Sequence, residues 1–187
     1  NLRVYKSIMN KTALQKLLND LYNHKTDPKE VAKQLSILPY DNLDFANVDH
    51  HRSLRNDIPE VIYCKGKTGD QLISIIKSLY KAKNNILATK LNPEMYEQIK
   101  RKLPPETTYN ETSSTLVIEI SSVKNKIGKI TIVTAGTSDI PIAEEAQVTA
   151  ELYGSNVDKI FDVGVAGIHR ILDKINALRQ ARVIIVI

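Results

Sequence analysis

Leucines at 14, 17, 18 and 21 recur with a helical period inside NKTALQKLLNDLYN, residues 10–23, and predict an amphipathic helix. Asp27-Pro28 then sets a capping residue before a proline at the first helical position, which starts a second short helix running through Leu35. The period is lost in PYDNLDFANVDHHRSLRNDIPE, residues 39–60, a stretch rich in Asp, Asn and Arg. Leu43, Phe45 and Val48 are too apolar for a free linker, so this stretch reads as an ordered connector. Val61 to Cys64 is a short apolar strand, and Gly66 with Thr68 leads into a helix over 70–83. Residues 85–91 (NILATKL) read as strand, and Asn92-Pro93 opens a helix to about Leu103. The run 107–121 alternates and is rich in Thr, Val and Ile, so it reads as strand as well. The order β, α, β, α, β describes a small α/β unit behind the two leading helices.

The polar, lysine-rich segment SSVKNKIGK, residues 121–129, marks a boundary and divides the chain into domains 1–126 and 127–187. Past it the apolar runs are continuous: strands are predicted over 130–133, 160–165 and 182–187. Helices are predicted from Pro141 to Tyr153, closed by Gly154, and over 168–180. Continuous apolar strands alternating with amphipathic helices predict a parallel sheet covered on both faces. Right-handed crossovers then collect the strand-to-helix loops at one edge of that sheet. The run RVIIVI is apolar on both faces and has no polar cap. Three strands and two helices cannot cover both faces, so the expectation is a partial three-layer αβα domain. Further chain or another subunit would complete it, and a homo-oligomer follows as an expectation.

Composition narrows the picture only a little. Hydrophobic residues are 42% and charged residues 25% of 187, ordinary for a chain that buries a core. The reading is cytoplasmic, with no membrane segment: no apolar run approaches a membrane span, and the start NLRVYKSIMNKT is not a secretory signal. A single cysteine, Cys64, excludes an internal disulfide, and four histidines show no zinc spacing. The net charge of +5 is carried by residues 1–127, with 20 Lys+Arg against 14 Asp+Glu, whereas 128–187 hold 6 against 7. Scattered lysines with few aromatics indicate a solvated surface, not a nucleic-acid partner.

The candidate chemistry sits in two loops at the predicted sheet edge, where open parallel sheets bind ligands. In the first, Gly136 lacks a side chain and would let backbone N–H groups approach an anion beside Ala135. Thr137 and Ser138 add hydroxyls, and the helix opened at Pro141 aims its positive end at the same place. Asp139 would repel phosphate, so it suits a ribose ligand, a proton carrier or the helix N-cap. The second loop, DVGVAGIHR from Asp162 to Arg170, offers Gly164, Ala166 and Gly167 before His169. His169 would bind phosphate, move a proton, or lie idle at the surface. No Walker or dinucleotide fingerprint occurs, so residues alone reach only a nucleotide-like ligand.

The stretches IVTAGTSDIPIAEEAQVTAELYG and DVGVAGIHR, with FANVDHHRSLRNDIPEVIYCKGKT upstream, resemble the pyridinium-3,5-biscarboxylic acid mononucleotide synthases of nickel-pincer cofactor biosynthesis. The resemblance implies a flavodoxin-like C-terminal domain similar to aminoimidazole ribonucleotide carboxylase (PurE-like). It also implies carboxylation of the pyridinium ring of nicotinic acid adenine dinucleotide, using CO2 or bicarbonate, with hydrolysis of the phosphoanhydride to release AMP. A pyridinium is electrophilic, so a thiolate must first add to it and make the ring electron-rich. In the family that cysteine and an acidic partner lie in segments beyond Ile187, so Cys64 should be a buried strand residue, and residues 1–187 alone should not turn over. By this resemblance Asp139 is the catalytic candidate, and Ala135, Gly136, Thr137, Ser138, Asp162, Gly164, Ala166, Gly167 and His169 bind substrate. No tightly bound cofactor is expected, Mg2+ is compatible, and the assembly would be a homo-oligomer such as an octamer. The alternatives are an aminoimidazole ribonucleotide carboxylase or mutase, and a non-catalytic nucleotide-binding module.

Overall fold

The computed structural model describes residues 11–36, 40–43, 45–49, 60–122 and 125–187. Two helices lead the chain, α1 (Lys11–Tyr22) and α2 (Pro28–Ser36), as the leucine period and the Asp27-Pro28 start predict. Asp27 caps α2 by accepting the Lys29 N–H at 2.7 Å. The connector contains an antiparallel pair, β1 (Tyr40–Asn42) and β2 (Asn47–Asp49). Val48 is buried, and Leu43 and Ala46 pack on the same core, so the ordered reading holds there. Phe45 stays exposed. The remainder of the connector, residues 50–59, lies outside the described residues.

A four-stranded sheet follows, with strand order β3-β4-β6-β5. Its strands are β3 (Val61–Tyr63), β4 (Ile86–Thr89), β5 (Thr107–Asn110) and β6 (Thr115–Ile118). β3 and β4 are parallel, joined through α3 (Gly69–Lys81), and α4 (Pro93–Ile99) follows β4. Thr68 caps α3 through a reciprocal box with Gln71, and Asn92 caps α4 at Met95. Leu72, Ile76 and Leu79 of α3 pack on Ile86, Leu116 and Ile118 to form the main core. The run 107–121 is a hairpin and not one strand: Asn110 to Ser114 turn the chain, with Ser114 at φ 52°.

The second sheet is three parallel strands in the order β8-β7-β9. These are β7 (Ile127–Val133), β8 (Ser155–Ile160) and β9 (Val183–Val186). This is the 2-1-3 order that opens a flavodoxin-like sheet, with the first strand central. Gly128, at φ 70°, accommodates a bulge in β7. Helix α5 (Ile140–Leu152) connects β7 to β8 and ends at Gly154, φ 86°.

Two expectations shift here. The second strand lies at 155–160 instead of 160–165, because SNVDKI is an edge strand whose alternating polar residues face solvent. Phe161 to Gly164 therefore belong to the following loop. The helix expected over 168–180 is two short ones, α6 (Ile168–Leu172) and α7 (Ile175–Arg179), separated by Asp173 and Lys174. Both contribute to one apolar face: Ile171, Ala177 and Leu178 cover Val133, Ile160 and Val163. The architecture is α/β throughout, and its second sheet leaves Val183, Ile184 and Val186 substantially exposed.

Candidate functional site

At the carboxyl edge of the second sheet the two candidate loops form one structure. Thr134, fully buried at the end of β7, accepts the Asp162 N–H on its Oγ1 at 3.2 Å. Its carbonyl accepts the Val163 N–H at 3.1 Å, and the Ala135 carbonyl accepts the Gly164 N–H at 2.9 Å. The Ala135 N–H in turn donates to the Ile187 carbonyl at 3.0 Å, so all three strand ends converge on residues 134–135. Gly164 is required by this seam: a Cβ there would lie 2.7 Å from the Ala135 oxygen. Thr134 lies in the loop that the sequence sets at this edge, but sequence reasoning gave it no role. The signal was present, a hydroxyl directly after the apolar end of β7 and before the glycine turn.

Gly136 serves differently from the expectation. Its φ is −131°, extended backbone open to any residue, and a Cβ would meet nothing closer than 3.7 Å. Its N–H is also occupied, donating to Asp139 Oδ2 at 2.9 Å. Thr137 to Asp139 form a single 3-10 turn that runs into α5. Asp139 is half-buried and makes no side-chain cap to the amides of α5; it reaches back to Gly136 and receives the Ser138 hydroxyl at 3.4 Å. Its carboxylate thus closes the turn that carries the exposed Thr137 and Ser138. The amides of Thr137 and Ser138 open the turn, without intrahelical acceptors.

On the facing loop, Asp162 sits at φ 57° and its carboxylate accepts Arg170 Nη1 at 2.7 Å. The guanidinium crosses Gly167, where a Cβ would stand 2.7 Å from Arg170 Nε. Ala166 and His169 are exposed on the same rim, as is Val165. All ten candidates therefore lie on two adjoining loops, with Gly136, Asp139 and Asp162 already engaged by protein partners. Among the described residues, no three His, Cys, Asp or Glu side chains gather as a metal site.

Cys64 lies far from this chemistry by its environment. It is buried at the end of β3, its Sγ 3.8 Å from the Ile62 carbonyl, and burial pushes its thiol up to about 11 despite Lys67 nearby. It is un-ionised at neutral pH and is no thiolate nucleophile. No helix among the described residues is long and apolar enough to cross a membrane.

Residues 40–121 match the LarB/PurE-like N-terminal domain family. The chain is also 34% identical, over 182 residues, to an uncharacterized protein of Methanocaldococcus jannaschii; the match covers 93% of this chain and 70% of that relative.

Proposed function

Because the chain belongs to the family marked by the LarB/PurE-like N-terminal domain, we propose that it acts in carboxylating the pyridinium ring of nicotinic acid adenine dinucleotide. Hydrolysis of the phosphoanhydride would release AMP and leave a biscarboxylated mononucleotide. The single observation that carries this reading is the fused loop pair. Two glycine-containing strand-to-helix turns are joined through Thr134 and Ala135 at the carboxyl edge of a parallel sheet. Such an edge is where open α/β sheets hold nucleotides. Thr137 and Ser138 offer hydroxyls and amides to a ribose phosphate, and Ala166 and His169 face it from the second loop. Asp139 is the carboxylate on this rim suited to a proton or a ribose hydroxyl. The ring chemistry needs a thiolate, and Cys64 does not supply it.

The exposed apolar residues of β9 suit burial against a second copy, so the working state is a homo-oligomer. Light scattering that gives a monomer for the active protein would remove this element. The reaction itself is tested by mass spectrometry of the parent protein with nicotinic acid adenine dinucleotide and bicarbonate. AMP together with a ring-carboxylated mononucleotide is the expected result. Consumption of aminoimidazole ribonucleotide alone would instead support the purine-type carboxylase, the reading that the resemblance of the second domain alone would suggest.

A further inference from the structure

Two loops of the first sheet reach across to the helix that follows Asp139. Lys90, just past β4 and at φ 56°, places its Nζ 2.6 Å from Glu145 Oε2. Asn110, at the end of β5, donates its side-chain amide to Glu144 Oε2 at 2.9 Å. The two loops are bound to each other, because the Leu91 N–H donates to the Ser114 carbonyl and the Tyr109 hydroxyl to the Leu91 carbonyl, both at 2.8 Å. Asn110 has no freedom to flip: its Oδ1 already accepts the Ser113 N–H at 3.1 Å, which leaves its donor facing Glu144. From the opposite side, Lys159 of β8 donates to Glu144 Oε1 at 3.0 Å.

An ordinary solvated ion pair on a helix would contribute little and position nothing. This group differs in having partners from two separate elements, β5 and β8, on the Glu144 carboxylate, with Lys90 on the neighbouring Glu145. The Glu144 and Glu145 side chains retain only 19% and 23% of their exposure. The hydrogen bond from Asn110, and then that from Lys159, hold the Glu144 carboxyl below its ordinary range.

We infer that Lys90 and Asn110 are positioning residues, through which the first sheet fixes α5 and with it the Gly136–Asp139 turn. Glu144 follows Asp139 by five residues, about 7 Å of helix rise, so a shift of the helix at Glu144 moves the turn as well. The role of the first unit is then to hold one wall of the site in place from outside it. This rests on the geometry of the junction and not on the reaction proposed above.

Hydrogen exchange on the full chain tests it, following the Gly136 and Asp139 amides with Leu87 in β4 as internal reference. Asn110→Asp sets a carboxylate against Glu144, and Lys90→Glu does the same to Glu145. Each should speed exchange at 136 and 139 by about fivefold or more while Leu87 is unchanged, the signature of local opening. Lys90→Glu combined with Glu145→Lys restores the pair and should return exchange to near the wild-type rate. Lys90→Gln carries the measurement if Asn110→Asp does not fold. Unchanged exchange at 136 and 139 overturns the inference. So does a rise shared equally by Leu87 that the charge swap leaves in place.

Discussion

In the sheet β3-β4-β6-β5, β4 is buried along its whole length and lies within a cluster of fourteen buried residues. In the sheet β8-β7-β9 burial is confined to Thr131, Ile132 and Val133 of the central strand and Ile160 at the end of β8, and β9 keeps Val186 at 75% exposure. The first sheet has helices and hairpin closing over one continuous core. The second puts its burial at the carboxyl ends of β7 and β8, directly beneath the two loops. Burial of apolar area is what stabilises a fold, whereas ligand chemistry needs polar groups held at an open edge. On the function proposed above the two regions divide these tasks, and substitutions in them should separate stability from activity.

The largest effect expected on stability is in the first region. Leu116 on β6 is fully buried in its core, so Leu116→Ala should cost about 2–5 kcal/mol by lost transfer energy and a residual cavity. Val186→Ala on β9, mostly exposed, should change stability by less than about 0.5 kcal/mol. Urea unfolding of both variants checks the contrast. Equal losses would mean that β9 is buried in solution, which would favour the homo-oligomer over the division drawn here.

Activity should respond in the opposite place. Asp139→Asn retains an oxygen that can accept the Gly136 N–H, so the melting temperature should stay within a few degrees. If Asp139 handles a proton, turnover should fall by ~10²-fold or more. Near-wild-type turnover would leave the carboxylate as a clasp for the turn and nothing more.

How much of this division was legible differs between its parts. The α3 start was readable because Gly66 and Thr68 stand before its apolar period, and β7 because TIVT leads straight into a glycine turn. β8 was displaced because an edge strand tolerates polar residues on its open face, while the apolar FDVGV that follows imitates a strand. The β5–β6 hairpin was merged because the turn residues Asn110 to Ser114 sit inside a Thr- and Val-rich run. Both candidate loops were read from the sequence as lying at one sheet edge, but their fusion was not. Thr134 meets Asp162 across 28 residues and Asn110 meets Glu144 across 34, and no local period encodes either contact.

Gly164 tests the seam where the two tasks meet. A Cβ there would press on the Ala135 carbonyl, a backbone atom that cannot turn aside, so Gly164→Ala should cost about 1–3 kcal/mol by overpacking. Gly136→Ala meets only ordinary contacts at 3.7 Å and beyond, in extended backbone, and should be tolerated. Thermal unfolding of the pair ranks the two glycines. A larger loss at Gly136 would show that the seam lies elsewhere.

The smallest effect expected is at the junction between the regions, and its sign follows from Glu144. Hydrogen bonds from Asn110 and Lys159 lower its folded pKa, so it stays ionised in the folded chain at a pH where the unfolded chain has begun to take up its proton. The stability it contributes is therefore fully present above the unfolded value of 4.5 and is lost as pH falls through the lower folded value. Glu144→Gln keeps a side-chain oxygen for Asn110 but removes the titration and the charge offered to Lys159. At neutral pH it should cost no more than about 1 kcal/mol, the range of a partly exposed pair. Below the ordinary carboxylate range the difference from wild type should shrink, because the wild-type side chain is then protonated as well. Urea midpoints measured at pH 7 and pH 3 check this directly. A gap between variant and wild type that widens on acidification would mean that Glu144 is bound more strongly as the acid. The junction would then rest on Lys90 and Glu145 alone.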